Sequence, residues 1–250
     1  MSSSEKPLVY LILGASGSGR REVIADLLAG GLDEADRPAV LLADDEPAAE
    51  IDAKLPRLAR WSWQDGVIAA TLPPEASHVF FVTSGRRNPV DQVEVFKPWV
   101  EAQGGELGRV ICIVSCQFAE KNPSLLPWFE ACVHFADVVL LNRREGVENK
   151  WLSGFQARFK GQFFPCLFEF VKDGRVKNPA LVLEPQARRM THVFDEEPNL
   201  VFTDSSGEEI DEQEESDDDE IEAKPEEDPY FERRNGGRRV KEIPDIAKFL

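Results

Sequence analysis

The feature that most constrains this chain is an apolar run, Leu8-Val9-Tyr10-Leu11-Ile12-Leu13, that ends in Gly14-Ala15-Ser16-Gly17-Ser18-Gly19-Arg20-Arg21. After the glycines the pattern turns helical. Val23, Ile24, Leu27 and Leu28 share one face, and Gly30-Gly31 reads as the stop. An apolar strand, a glycine-rich turn and a helix form the context that a phosphate-binding loop needs. Gly14 and Gly19 match the spacing of GxxxxGK[ST], but Arg20 stands in the place of the Lys and Arg21 in the place of the Ser or Thr.

Further apolar runs follow at intervals. Ala39–Ala43, His78–Thr83, Arg109–Ser115, Asp137–Asn142 and Cys166–Val171 read as strands, and Gly66–Leu72 as a shorter apolar piece closed by Pro73-Pro74. Between them, Pro89–Val100, Leu125–Val133 and Gly146–Phe159 have helical character. The strands are continuous apolar runs with no polar alternation, so both faces of their sheet must be covered. That predicts an α/β domain with a mostly parallel sheet and helices on both sides. Ligands in such folds sit at the carboxyl ends of the strands. Gly14, Ser84-Gly85, Ser115 and Asn142 all fall at such ends.

The net charge of −17 is local in origin. Thr203–Asp228 holds 15 acidic residues and one Lys, whereas Pro229–Leu250 holds six basic residues against three acidic ones. The part before them is only mildly acidic and offers no basic stripe for a nucleic-acid backbone. Glu208–Asp228 has too few apolar residues to pack and is expected to be disordered. The segments are therefore 1–202 as the folded domain, 203–228 as an acidic linker and 229–250 as a basic and apolar peptide. The last can dock back, fold over the acidic run or bind a partner. Cys112, Cys116, Cys132 and Cys166 have no CxxC spacing and lie among apolar residues, as reduced structural thiols do. No apolar run approaches the ~20 residues of a membrane span, and the N-terminus has no leader pattern, so a cytoplasmic location with no membrane contact is expected.

Four stretches, in order, resemble the CobW-type GTPases, a P-loop family (the CobW/HypB/UreG nucleotide-binding domain) that includes metallochaperones. They are Gly14–Arg21; Gly66-Val67-Ile68-Ala69-Ala70, where that family has Gly-Cys-x-Cys-Cys; Val82-Thr83-Ser84-Gly85-Arg86-Arg87-Asn88-Pro89, similar to its Glu-Thr-Ser-Gly-x-x-x-Pro; and Ala136–Glu145, similar to its Ala-Asp strand leading into Asn-Lys-x-Asp. The resemblance covers roughly residues 7–170. It implies a three-layer P-loop NTPase-like domain, here followed by the disordered acidic tail that the charge pattern predicts, with GTP or GDP as the ligand. It places nucleotide contacts at Gly14, Ser16, Gly17, Ser18, Gly19, Arg20, Arg21, Asn142, Arg143 and Glu145.

The departures from that pattern bear on chemistry. Arg20 can meet a phosphate, but its fork is not interchangeable with an ammonium. Arg21 offers no oxygen to magnesium. Val82 replaces the acidic residue before Thr83, and Ser115 stands where the family has Asp. Val67, Ala69 and Ala70 replace all three thiols, so no zinc-type thiolate site can be built there. His78, His134 and His192 are scattered and read as structural, and no catalytic nucleophile has a base at a suitable spacing. The expectation is a degenerate CobW-like GTP-binding-fold protein with weak or no hydrolysis, acting through protein contacts. One alternative is a working GTPase with a metallochaperone-like role, using Arg20 on phosphate and Glu145 on the base. Another is an interaction scaffold that engages a protein partner, a basic one by charge, through residues 203–250.

Overall fold

The computed structural model of this chain describes residues 6–195, 200–203 and 222–250. Of Glu208–Asp228, the stretch expected to be disordered, residues 208–221 lie outside the described residues. The chain divides into two compact units, Met1–Met190 with Glu242–Leu250, and Thr191–Lys241.

The first unit is built on one sheet. Its strands are β1 (Leu8–Leu13), β2 (Pro38–Ala43), β3 (Ala59–Gln64), β4 (Val67–Ala69), β5 (His78–Val82), β6 (Glu106–Ser115), β7 (Val138–Asn142), β8 (Leu167–Lys172) and β9 (Arg175–Val176). They lie in the order β4-β3-β2-β5-β1-β6-β7-β8-β9. From β3 to β8 every pairing is parallel, and only the edge strands β4 and β9 run antiparallel to their neighbours. The helices are α1 (Arg20–Gly31), α2 (Pro89–Ala102), α3 (Cys116–Lys121), α4 (Leu126–His134), α5 (Asn149–Lys160) and α6 (Pro179–Leu183).

Period-two alternation splits each apolar strand between two cores. Tyr10, Ile12, Phe80, Val82, Ile111 and Ile113 join Val23, Ile24 and Leu27 of α1 and Val182 and Leu183 of α6 in one cluster. On the opposite face Phe81 meets Phe96 and Trp99 of α2, with ring centroids 5.2 and 4.9 Å apart. A central strand β1, a glycine loop running directly into α1, and helices on both faces of a mostly parallel sheet make a three-layer P-loop NTPase-like fold.

The structure departs from the sequence expectations in several places. Gly30 and Gly31 are the last residues inside α1, not a stop after it. A Cβ at Gly31 would lie 2.8 Å from Leu183 Cδ1 and 3.0 Å from the Pro179 carbonyl carbon, so the pair lets α6 approach α1. A short helix, α3, follows β6 where none was expected; Ser115 caps it by accepting from the Phe118 N–H at 3.4 Å. The helix expected from Gly146 begins only at Asn149, after Gly146 has taken a φ of +80°.

Arg109, read only as part of a strand, is fully buried. It donates to the carbonyls of Leu181 (2.7 Å), Val182 (3.2 Å) and Gln186 (3.0 Å), which fixes α6 and the turn after it against the sheet. Tyr10 Oη adds a bond to the Leu183 carbonyl at 2.8 Å.

In the second unit the backbone of β10 (Leu200–Thr203) pairs antiparallel with β11 (Glu222–Pro225).

Candidate functional site

The loop between β1 and α1 sits at the carboxyl edge of the sheet, flanked by the ends of β2, β5 and β7. Gly14 (φ +137°), Gly17 (+76°) and Gly19 (+85°) all have backbone conformations that side chains disfavour. The close packing is as demanding as the conformation. A Cβ at Gly14 would fall 2.4 Å from the Ile113 carbonyl oxygen, and one at Gly19 would fall 2.4 Å from Asn142 Nδ2. Three of the motifs therefore meet in space: the glycine loop, the Thr83-Ser84-Gly85 corner after β5, and Asn142-Arg143 at the end of β7.

The corner after β5 closes onto the loop. The Ser16 N–H donates to the Gly85 carbonyl at 3.0 Å. A Cβ at Gly85 would come within 2.1 Å of the Ser16 nitrogen, so only glycine allows this approach. Thr83 anchors the corner to β1, its Oγ1 donating to the Ile12 carbonyl at 2.9 Å. Gln92 of α2 holds the backbone of Ser84 from both sides, accepting its N–H at 2.7 Å and donating to its carbonyl at 3.0 Å.

Arg20 is the central departure from a phosphate-binding loop. Its side chain is 4% exposed and forms an ion pair with Glu46, which follows β2 and is equally buried. Its Nη1 donates to the Thr83 carbonyl at 2.6 Å. Glu46 accepts two further bonds, from Ser16 Oγ at 2.9 Å and from the Gly85 N–H at 3.0 Å. Burial by itself would raise the Glu46 pKa. The charge of Arg20 and these hydrogen bonds outweigh burial and hold the carboxyl below its ordinary value. Burial lowers the Arg20 pKa against the opposing pull of Glu46. The carboxylate thus holds Arg20, the cation at the position of the phosphate-binding Lys.

Arg21 is also engaged within the chain. It donates to Asp52 Oδ1 at 2.8 Å and to the Pro47 carbonyl at 2.7 Å. The position whose hydroxyl would hold a magnesium ion does not fit one. Arg21 stands at the hydroxyl position, Ser16 Oγ is bonded to Glu46, and Glu46 is neutralised by Arg20. Val82, at the position of the family's acidic residue, is fully buried in the core. Among the described residues no group of three or more His, Cys, Asp or Glu is arranged to hold a metal ion. Val67 and Ala69 lie on the short edge strand β4 with Ala70 just after it, and Val67 is more than half exposed.

A cleft remains beside the loop. It encloses about 230 Å³ and is lined in part by Gly17, Gly19, Arg21, Pro47 and Arg143. Small-molecule pockets typically enclose ~300–1,000 Å³. The first N–H groups of α1 have no intrahelical acceptor, and Gly19 brings no side chain to cap them. Asn142 Nδ2 donates to the Ser18 carbonyl at 2.9 Å and so supports the loop. Arg143 lines the cleft with its backbone held at φ +50°. Arg144 turns away, its guanidinium 4.4 Å from the centre of the Phe170 ring. Glu145 is exposed and outside the cleft lining; its carbonyl accepts from Gln117 Nε2 at 2.6 Å.

The residues that sequence reading missed are Glu46 and the carbonyls of Thr83 and Gly85. Glu46 belongs to the polar stretch Asp44-Asp45-Glu46-Pro47 that follows β2. Its one sequence signal is its place at a strand's carboxyl end, level with the glycine loop.

No family model matches this chain, and no curated protein matches it. Solved structures do. The chain is similar to a Zn(II)-bound triple mutant of YjiA GTPase at 15% identity, over 80% of this chain and 72% of that one, with a TM-score of 0.43. It is similar to Zn(II)-bound YjiA GTPase from E. coli at 14% identity, over 74% and 67%, with a TM-score of 0.41. It is similar to the cell division protein FtsY from Thermotoga maritima at 15% identity, over 72% and 68%, with a TM-score of 0.43.

Proposed function

We propose that this chain is a degenerate CobW-like domain with a GTP-binding fold, in which an internal carboxylate has taken over the work of the bound phosphate. It does not hydrolyse GTP. It holds guanine nucleotide weakly at most and acts through protein contacts. One observation carries the reading: Arg20, at the position of the phosphate-binding Lys, is buried against Glu46 while Gly85 takes the Ser16 N–H.

Transfer of a phosphoryl group depends almost wholly on positioned charge, from a metal ion and from cationic side chains. Here the cation at the Lys position is neutralised and the oxygen ligand for magnesium is missing. A working GTPase that uses Arg20 on phosphate and Glu145 on the base would need Arg20 to leave a buried ion pair, and Glu145 lies outside the cleft. The uncapped N–H groups of α1 and Arg143 still favour an anion, which is why weak binding is retained in the reading.

The test is phosphate release from GTP with magnesium, comparing this protein with Gly19→Val, alongside thermal unfolding with and without about 1 mM nucleotide. Release at background in both proteins is expected. The melting point should rise by no more than about 2 °C, independently of magnesium. Magnesium-dependent release above that of Gly19→Val would overturn the proposal.

A further inference from the structure

A second hollow lies away from the glycine loop. It encloses about 330 Å³ and shares no lining residue with the cleft beside the loop. One wall is α5. Trp151, Gly154, Phe155 and Arg158 follow the i, i+3, i+4, i+7 spacing that places residues on one helix face, and all of them line the groove. Gly154 keeps this face open. A Cβ there would meet no atom within 4 Å, so the groove passes over a turn of helix that has no side chain. The facing wall is α4, through Leu126 and Phe129.

The walls are aromatic and fixed. Trp151 stacks on Phe155 with ring centroids 5.2 Å apart and planes 17° from parallel. Phe129 is buried and held edge-on by Trp128, with centroids 5.3 Å apart. Two polar groups join this apolar surface. Trp61, Trp99 and Trp128 each donate their indole N–H to a carbonyl, whereas that of half-buried Trp151 has no partner among the described residues. Arg158 is the one charged residue in the lining. Its Nη1 donates to Glu130 Oε1 at 3.1 Å, which ties α5 to α4 and leaves the rest of the guanidinium fork for another acceptor. The helix itself carries Lys150, Arg158 and Lys160 and no acid. Glu120 and Glu148 meet just before α5, at 3.4 Å, about 15 Å along the helix from Arg158.

We propose that this groove binds a small aromatic anion, its rings against Trp151, Phe155 and Phe129 and its acidic group on Arg158. An apolar pocket with a few convergent polar groups has the make-up of a small-molecule site. A cavity of about 150 Å³ is enough for benzene, so this groove has room for a two-ring molecule. Aromatic walls favour flat rings through offset and edge-on contacts. The guanidinium fork favours a carboxylate or sulfonate, which it can take with two bonds. The inference goes beyond the proposed function and does not depend on it, since neither the glycine loop nor Glu46 takes part.

The experiment uses the full chain and two fluorescent probes that share one ring system, anilinonaphthalene sulfonate and the neutral phenylnaphthylamine. The sulfonate is expected to bind with a dissociation constant below about 100 μM. Gly154→Leu fills the groove and should weaken both probes at least about tenfold. Its melting point should equal or exceed that of the unaltered chain, since Leu is the better helix former. Arg158→Gln should weaken the sulfonate about threefold to tenfold and the neutral amine less than about twofold. This two-probe comparison stands whether or not Gly154→Leu folds. Val67→Ser removes an exposed apolar side chain from the edge strand β4 and should change neither affinity more than about twofold. The proposal is overturned if the sulfonate does not bind below about 100 μM, if Gly154→Leu folds and binds as the unaltered chain does, or if Val67→Ser loses as much. It also fails if Arg158→Gln weakens both probes equally. A chain that sediments as a dimer and takes up the sulfonate only on dilution would place a second copy in the groove, and that too would overturn it.

Discussion

Arg20 in the first turn of α1 and Glu46 just beyond β2 form a buried ion pair, each side chain only 4% exposed. The pair joins three segments, because Glu46 also accepts from Ser16 and Gly85 and Arg20 also donates to Thr83. Removing one partner leaves the other charge buried and uncompensated. Glu46→Ala should therefore cost about 3–5 kcal/mol, measured by urea unfolding. Replacing both, as Arg20→Met with Glu46→Leu, should recover most of that loss, since an apolar pair of similar volume is often as stable as a buried ion pair. If Glu46→Ala costs under about 1 kcal/mol, the pair is not the lock described here.

The same carboxylate gives a pH signature. Its pKa in the folded chain lies below the ordinary Glu value. Such a group adds stability that is fully present above the unfolded pKa, about 4.3, and is lost as pH falls through the lower folded value. The stability gap between the unaltered protein and Glu46→Gln should be constant above about pH 5 and shrink steadily in more acidic solution. Urea midpoints taken from pH 7 downward would show it. A gap that widens toward acid would reverse the assigned direction.

Two glycines should respond in opposite ways to the same substitution. Gly85→Ala places a methyl group 2.1 Å from the Ser16 nitrogen and 2.6 Å from the Ala15 carbonyl carbon. Both neighbours are backbone, so the corner after β5 must lift off the loop, at a cost of about 1–3 kcal/mol or more. Gly154 lies inside α5 with nothing within 4 Å of its missing Cβ. Gly154→Ala should stabilise by about 0.4–1 kcal/mol, because it restricts the unfolded chain and clashes with nothing. Chemical unfolding of the two variants side by side checks both signs.

Much of the architecture was legible because burial on both faces writes continuous apolar runs. β1, β2, β5, β6, β7 and β8 each lie within a residue or a few of a run visible in the sequence. The glycine loop was legible for the same reason, since backbone demands show as glycines at fixed spacing. What escaped were features that depend on partners far away in the chain. Arg109 reads as an oddity at the start of a strand until its acceptors, more than 70 residues later, are in place. Glu46 reads as a solvated turn until Arg20 is found pointing at it. The Gly30-Gly31 pair has the composition of a helix stop, and only the position of Pro179 and Leu183 shows that it serves close packing. Asn142 supports the loop through the Ser18 carbonyl, a role that no spacing encodes.

The cysteines give a final prediction about reactivity. All four are buried and unpaired by disulfides. Thiol attack proceeds through the thiolate, so it needs both access and a pKa within reach of the solution pH. Burial pushes the Cys116 and Cys166 thiols up to about 12. Burial also raises Cys132 well above its ordinary value, helped by its contact with Cys112 of β6. At pH 8 the thiolate fraction of Cys116 or Cys166 is on the order of 10⁻⁴, before the barrier to access is counted. A chromogenic disulfide reagent should therefore leave the native protein essentially unlabelled over a period in which the urea-unfolded chain reports all four thiols. Labelling should track global unfolding, and Gly85→Ala should speed it only by as much as it lowers stability. Rapid labelling of one thiol in the unaltered protein would reveal an opening of the α3–α4 side that leaves the rest of the sheet intact.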